Sequence, residues 1–539
     1  MKTPGVYIVE KNAFPNSVVQ VATAVPAFIG YTEQALNGDK SLLNKPTRLS
    51  SLSEFNQYFG GPPKPMFDLV KREGDASGSN LGLMPENKDP LAPAVVSISV
   101  PDLDKPGEMI EQYWVLVQKN EAYTLYAAIR LFFQNGGGTC YVVSVGSYHD
   151  EISADALKVG LKQLVNESEQ TMLVIPETTR LTRAASQSVQ QAMLLHCGET
   201  MRNCFAILDM FSGYRDVDSG DPVAVFRNDI GVKNLDFGAC YYPWVNTSIF
   251  GSRDFSFNNI EADSRGALIT LLKDDLSATE TKPERLASLF TEIELVGKDV
   301  LANARAENAT LPAQARKTVP TDADVDKTLR ALSPAYEKIM RAISKCVNML
   351  PPAAGIAGLY AMVDNSRGVW KSPANVSMSA VTSPMVNISH ELQETLNVDA
   401  QGKSINAIRT FTGEGVLVWG ARTLDGNSLD WRYISVRRTM IMLEESIKLA
   451  TMAFVFEPNT SNTWVTIRSM IESFLTGIWK QGCLAGAAPS DAFSVHVGLG
   501  ETMTSVDVQE GILRVTVQVA ITRPAEFIEI TFVQQMQKS

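Results

Sequence analysis

Histidine is scarce in this chain of 539 residues: four occur, His149, His196, His390 and His496, with no HExxH pair and no Cys/His cluster at ligand spacing. A zinc site is not expected, and no metal or cofactor is assigned. The six cysteines, Cys140, Cys197, Cys204, Cys240, Cys346 and Cys483, are dispersed without a CxxC pair. They read as buried thiols made in a reducing cytoplasm, not as a disulfide framework. Positive charge is in deficit as well. The chain has 48 Lys and Arg against 59 Asp and Glu, a formal net charge of −11, and no basic patch that would neutralise phosphates, so direct nucleic-acid binding is not expected. Long apolar runs are missing. The longest uncharged stretch, Cys346 to Val363, contains Pro351, Pro352, Gly355 and Gly358 and is shorter than the roughly 20 apolar residues a membrane helix needs. Glu10 and Lys11 arrive before any signal-peptide core, so neither export nor membrane insertion is expected.

What is present is an ordinary globular balance, 45% hydrophobic and 20% charged, in a chain long enough for two to four domains. In residues 1–25, Val6, Ile8, Val18, Val19 and Val21 favour strand while Pro4, Gly5 and Pro15 exclude helix, which predicts an extended arm. A buried strand is predicted at Ala24–Tyr31. The Pro, Gly, Asp and Ser content of about Gly60 to Gly107 predicts an irregular surface insertion. A helix over Tyr123–Gln134 then gives way to a strand at Cys140–Val145. Helices near Ser153–Val165 and Ala184–Cys197 alternate with strands at Met172–Pro176 and Cys204–Asp209, the pattern of a partly parallel α/β layer. Residues 260–350 read as helical, with Ser333-Pro334 starting a new helix midway. Ile434–Met452 and Trp464–Trp479 read as long helices. Alternation from Leu513 to Ile521 and a run from Glu526 to Val533 read as closing strands.

No catalytic constellation emerges from these elements. Gly136-Gly137-Gly138 follows a helix and precedes a strand, the reverse of a phosphate loop, and reads as a helix cap. His196 and Cys197 are neighbours that project about 100° apart on a helix, which makes them a poor nucleophile and base. Glu444-Glu445 stands near Arg437 and Arg438, favouring intrahelical or intersubunit ion pairs. Taken singly, Arg409, Arg422, Arg437 and Arg438 read as domain-internal ion-pair partners, and Trp370 and Trp431 as core aromatics.

Several longer segments carry more. PGVY at Pro4–Tyr7, TAVPAFIGYTE at Thr23–Glu33, RLFFQNGGGTCYVV at Arg130–Val143 and YYPWV at Tyr241–Val245 come first. PPAAGIAGLYAMVDNSRGVWKSPANV at Pro351–Val376, INAIR at Ile405–Arg409, VWGARTL at Val418–Leu424, WRYISVRR at Trp431–Arg438, FEPN at Phe456–Asn459 and RPAEFIEI at Arg523–Ile530 follow in order. In these segments the sequence resembles the tail sheath proteins of contractile phages and of extracellular contractile injection systems. The resemblance implies a multidomain α+β and α/β protein without enzymatic activity. Its inner α/β domain, a small sheet flanked by long helices, would combine the C-terminal third with the N-terminal arm, and the outer α/β and helical domains would be inserted between them. The expected limits are 1–25 for the N-terminal linker arm, 26–259 for the outer α/β domain with an insertion at about 60–110, 260–345 for a helical insertion, 346–511 for the inner domain, and 512–539 for closing strands and linker arm.

The function implied is a sheath subunit that polymerises around an inner tube and contracts from a metastable extended state to drive that tube through a target envelope. Its partners would be copies of itself in stacked rings or a helical lattice, the inner tube protein, and baseplate and tail terminator or cap proteins. It would be made in a bacterial cytoplasm and assembled into a phage tail or phage-tail-like particle. Strand physics suggests the linkage, because an open sheet edge accepts a strand from another chain. Val6, Ile8, Val18, Val19 and Val21 of one arm and Ile528, Ile530 and Phe532 of the other are the expected intersubunit contacts. Arg468 and Glu472, on the polar face of the Trp464–Trp479 helix, form either a tube contact or a salt-bridged solvent face. The alternatives are a non-contractile self-assembling tube or shell protein and a cytoplasmic α/β hydrolase built on residues 140–245.

Overall fold

The computed structural model describes residues 18–72, 94–101, 109–280, 282–312, 314, 316, 318–397 and 399–529. The run PAFIGYT forms Pro26–Thr32 (β1), buried along its whole length, and Thr47–Leu49 (β2) follows. Phe67–Arg72 (β3), Ala94–Pro101 (β4) and Met109–Gln118 (β5) come next, then helix Leu125–Gln134 (α1) and Cys140–Ser147 (β6). Helix Ala154–Gln163 (α2), Met172–Val174 (β7), helix Arg183–Leu195 (α3), Phe205–Asp209 (β8) and Gly238–Tyr242 (β9) complete the alternation. Five helices follow: Arg265–Thr279 (α4), Pro283–Glu294 (α5), Val300–Thr310 (α6), Asp322–Leu332 (α7) and Pro334–Val347 (α8). The chain continues through helix Ala353–Arg367 (α9), strands Val376–Ser377 (β10), Asn406–Phe411 (β11) and Gly415–Trp419 (β12), and the long helices Ile434–Thr451 (α10) and Ser461–Lys480 (α11). It closes with Phe493–His496 (β13) and Thr516–Val519 (β14).

The main sheet runs β10-β12-β11-β9-β8-β7-β1-β6-β2. Its six central strands are parallel and its edges antiparallel. Successive residues of one strand enter opposite cores, as the two-residue period requires. Phe28, Val142, Ile207 and Tyr241 face a cluster with Ile129 and Phe132 of α1 and Ile356 and Tyr360 of α9. Ile29, Val143, Leu208 and Cys240 face Leu157 and Leu161 of α2 and Val189 and Met193 of α3. Helices thus cover both faces, which is why the strands read as near-continuous apolar runs. Residues 376–419, grouped by sequence with the C-terminal part, add three strands to the sheet begun at residue 26.

The stretch expected to be irregular holds regular structure. β5 lies between β3 and β4 in an antiparallel sheet, with Phe67, Leu69, Val96, Ile98 and Trp114 turned into the first core. Proline- and glycine-rich flanks concealed the alternation within. The glycine run behaves as predicted: Gly136 takes φ +89°, and the N–H groups of Gly136 and Gly137 return to Phe133 and Phe132, closing α1. Ser333 caps α8, its Oγ accepting the Tyr336 N–H at 3.2 Å.

The chain crosses from β1 to β6 on one side, then back past β1 to β7, so the switch in strand order lies between β1 and β7. In α/β enzymes the crevice at such a point, beside a helix N-terminus, takes the ligand. Here Glu177 fills it. Its Oε1 accepts the N–H groups of Leu125 at 2.8 Å and Thr124 at 3.2 Å, at the start of α1. Its Oε2 lies so close over Gly30 that a β-carbon there would approach within 2.4 Å. Desolvation pushes this carboxyl up to about 7 despite the N–H donors, and burial pushes Asp209, whose Oδ1 caps α9 at the Ala353 N–H, up to about 7.

A carboxyl that keeps its proton to about 7 when folded, but loses it near 4.5 when unfolded, lends stability that is full below about 4.5 and fades as pH rises through 7. For Glu177 the loss is on the order of 3 kcal/mol. Urea midpoints of the unassembled chain are expected to fall from pH 5 to pH 8, and the fall should shrink in Glu177→Gln. An equal fall in both chains would refute the assignment.

Candidate assembly interface

The C-terminal third forms a core of its own. Met442 and Leu443 of α10 and Ile467, Met470, Ile471, Phe474, Leu475 and Ile478 of α11 bury together with Val495 of β13. Leu513, Val515, Val517, Val519 and Ile521 pack half-buried against them, the parity the sequence alternation predicts. β13 and β14 pair antiparallel, Phe493 opposite Val519 and Val495 opposite Val517. Beyond β14, Ile521 bridges to Leu484, and the Thr522 N–H reaches the Cys483 carbonyl at 3.1 Å. Among the described residues this sheet has two strands only, and no described strand pairs with the outer edge of either.

Both terminal segments run to this region. Val6 and Ile8 lie outside the described residues, as do Ile530 and Phe532. Val18 is buried in the C-terminal core and Val21 packs half-buried beside it, its N–H donating to Ser446 Oγ at 3.1 Å, whereas Val19 is 75% exposed. Residues 18–25 form no strand: the Val21 and Val25 N–H groups and the Thr23 carbonyl meet side chains, and the Val25 carbonyl accepts the backbone N–H of Thr171 at 2.8 Å. Val18 and Val21, expected as intersubunit contacts, therefore pack within their own chain. At the other end, the described part of the expected Glu526–Val533 strand, residues 526–529, pairs with no strand of the same chain, and Ile528 is 79% exposed.

A buried arginine fastens each segment. Arg438 forks onto Asp364 of α9 at 2.6 and 3.0 Å, donates to the Thr23 carbonyl at 2.9 Å and lies over the Tyr360 ring. The two charged side chains are 4% and 2% exposed. Arg422 forks onto Glu526 in the same manner. Arg437 is held between the rings of Phe237 and Trp431, 3.8 and 4.6 Å from their centroids, with Asp236 nearby. Within the chain no ion pair joins Arg437 or Arg438 to Glu444 or Glu445: Glu445 pairs along the helix with Lys448, and Glu444 attracts Arg437 from a longer distance. Arg468 Nη2 donates to Glu501 Oε2 at 2.5 Å and to the Val497 carbonyl at 2.9 Å, and Glu501 also holds His496 at 2.7 Å. Arg468 and Glu472 border a stripe of exposed, uncharged residues on α11, Val465, Thr466, Ser469, Ser473 and Gly477.

The model of the phage tail sheath C-terminal domain matches residues 427–535, which hold α10, α11, the two-stranded sheet and Glu526, the partner of Arg422. Over 99% of the chain the fold is similar to the helical sheath of the anti-feeding prophage in its contracted state, at TM-score 0.57 and 26% identity, covering 100% of that protein. The chain belongs to the contractile tail sheath family. This is a family of structural, non-enzymatic proteins. The sheath chain is also similar to the tail sheath protein of Enterobacteria phage T4, 27% identical over 24% of this chain, and to the major tail sheath protein of Serratia phage KSP20, 31% identical over 26% of it. These matches span 19% and 35% of the length of those curated relatives. A comparable fold, at TM-score 0.55 and 26% identity over 99% of the chain, occurs in the anti-feeding prophage baseplate structure.

The histidine and cysteine weighed for the hydrolase alternative, His196 and Cys197, are both buried. His196 is buried and burial pushes its imidazole down to about 4, so it stays uncharged. Cys197 Sγ lies 3.1 Å from Cys204 Sγ, and burial raises the Cys197 thiol well above its usual range. Among the described residues no group of three His, Cys, Asp or Glu could hold a metal, and no helix is long and apolar enough to cross a membrane. Asp364 and Glu526 escaped the sequence reading. The signal for Asp364 was a single acid directly after the apolar run AAGIAGLYAMV of α9.

Asp364→Ala leaves the Arg438 charge buried without its partner, and is expected to cost about 3–5 kcal/mol in urea denaturation of the unassembled chain. A loss under about 1 kcal/mol, the range of a surface pair, would show that the clamp carries no weight.

Proposed function

We propose that this chain is the repeating subunit of a contractile sheath that polymerises around an inner tube and shortens from a metastable extended state to drive the tube through a target envelope. The observation that carries the reading is the two-stranded β13–β14 sheet, which among the described residues has no further strand on either edge, in the unit that both described terminal segments reach. The N-terminal residues before Val18 and the C-terminal residues after Glu526 of neighbouring copies add strands to that sheet in a third copy. Val6 and Ile8 from one side and Ile528, Ile530 and Phe532 from the other supply the side chains. Such contacts are heterologous and repeat without closing on a dimer, which yields stacked rings or a helix.

Backbone pairing through the arms lets each body rotate outward while the mesh stays joined. The extended lattice is held by a kinetic barrier and released when a baseplate partner lets outer contacts form, so the work is stored in assembly. The β13–β14 unit with α10 and α11 is the inner domain. Its exposed α11 stripe, bordered by Arg468 and Glu472, faces the inner tube protein, and the α4–α8 helices lie outside. Baseplate and terminator or cap proteins close the two ends of a phage tail or phage-tail-like particle.

The test is negative-stain electron microscopy of the full chain beside a version lacking residues 1–17, which spares Val18 and Val21. Hollow ringed tubes from the full chain and folded, unassembled protein from the truncation are expected. A full chain that stays monomeric even with an inner tube protein would overturn the reading.

A further inference from the structure

We propose that the Arg422–Glu526 ion pair is the latch that fixes where, and in which direction, the C-terminal arm leaves the body, making Glu526 and Arg422 positioning residues for capture of that arm by a second copy of the chain. This rests on the strand-exchange reading above. Arg422 is itself immobilised. Its backbone N–H donates to Asn406 Oδ1 at 2.8 Å and its carbonyl accepts Asn406 Nδ2 at 2.8 Å, while Nη1 reaches the Asn397 carbonyl at 3.0 Å. The remaining fork is aimed at Glu526: Nε lies 3.0 and 3.1 Å from its two oxygens and Nη2 2.6 Å from Oε2, with Tyr433 Oη donating to Oε2 at 3.3 Å.

The arginine side chain is 6% exposed and the carboxylate 20%, so water competes little for the pair. Immediately beyond it the chain changes character. Phe527 and Ile528 are 77% and 79% exposed, apolar side chains held in solvent by an anchored neighbour. A forked arginine constrains direction as well as distance, which a lysine does not. Fixing the origin of the arm removes part of the ordering cost of its capture by a second copy.

The test has two readouts. A nitroxide on Ile528→Cys reports arm motion in the unassembled chain, where the six native cysteines are buried. With Glu526→Gln added, the spectrum is expected to sharpen toward fast motion while the circular dichroism of the body is unchanged. Without the label, Glu526→Gln and Arg422→Lys are expected to raise the concentration at which tubes form about tenfold, the loss of a charge-assisted fork. The exchanged pair Arg422→Glu with Glu526→Arg should recover part of it. Unchanged label mobility in Glu526→Gln overturns the latch whatever assembly does. Increased mobility with unchanged assembly overturns its positioning role. Failure of the unsubstituted chain to form tubes overturns the sheath reading instead, and the label still decides the latch.

Discussion

A guanidinium cannot be taken out of water without partners, and the Arg438 side chain, nearly sealed from solvent, meets that demand from two other parts of the chain. Asp364 of α9 supplies the counter-charge, Thr23 a carbonyl and Tyr360 a ring face. The pair thereby ties the entry of β1, the helix that covers one face of the main sheet, and the long helix α10 of the C-terminal core. A hydrophobic contact in its place would tolerate sliding between these parts. A bidentate ion pair with a third directed bond does not. The unit that carries the open sheet is held in one orientation on the body because this charge has nowhere else to go.

The same physics, applied to backbone rather than side chain, leaves the other end unfinished. Each strand of the β13–β14 pair presents a row of N–H and C=O groups on its outer side, and a two-stranded ribbon is marginal in water by itself. Here it is supported by α11 and by a row of half-buried aliphatic residues, so the sheet persists with no further described strand on either edge. A protein meant to remain monomeric would blunt such edges. On the proposed function these edges take strands from other copies, and an arginine holds each described terminal segment to the body, Arg438 at Thr23 and Arg422 at Glu526.

The main sheet has the architecture on which many nucleotide-binding and hydrolytic enzymes are built, yet its ligand crevice is closed from within. Glu177 stands where an anion would bind, accepting the helix N-terminal N–H groups that a phosphate would otherwise take. The same architecture here carries a side chain of its own in the crevice, an instance of fold and function separating.

Much of this was legible in the residues. Apolar runs bounded by turn signals located β1, β6, β7 and β8 within a residue or two, the three-and-four spacing located α1, α8, α10 and α11, and ordered motifs from Pro4 to Ile530 pointed to the family. Those features are local, and local periodicity is written into the order of side chains. The three-stranded sheet of β3, β4 and β5 escaped because its strands stand among glycine- and proline-rich turns and find one another only across long gaps. Burial of Val18 and Val21 in their own chain, the choice of Asp364 over Glu444 for Arg438, and Glu526 in the grip of Arg422 are separated by up to several hundred residues. Spacing along a chain carries no information on such pairings. Only the folded packing, by deciding which charges lose water together, selects them.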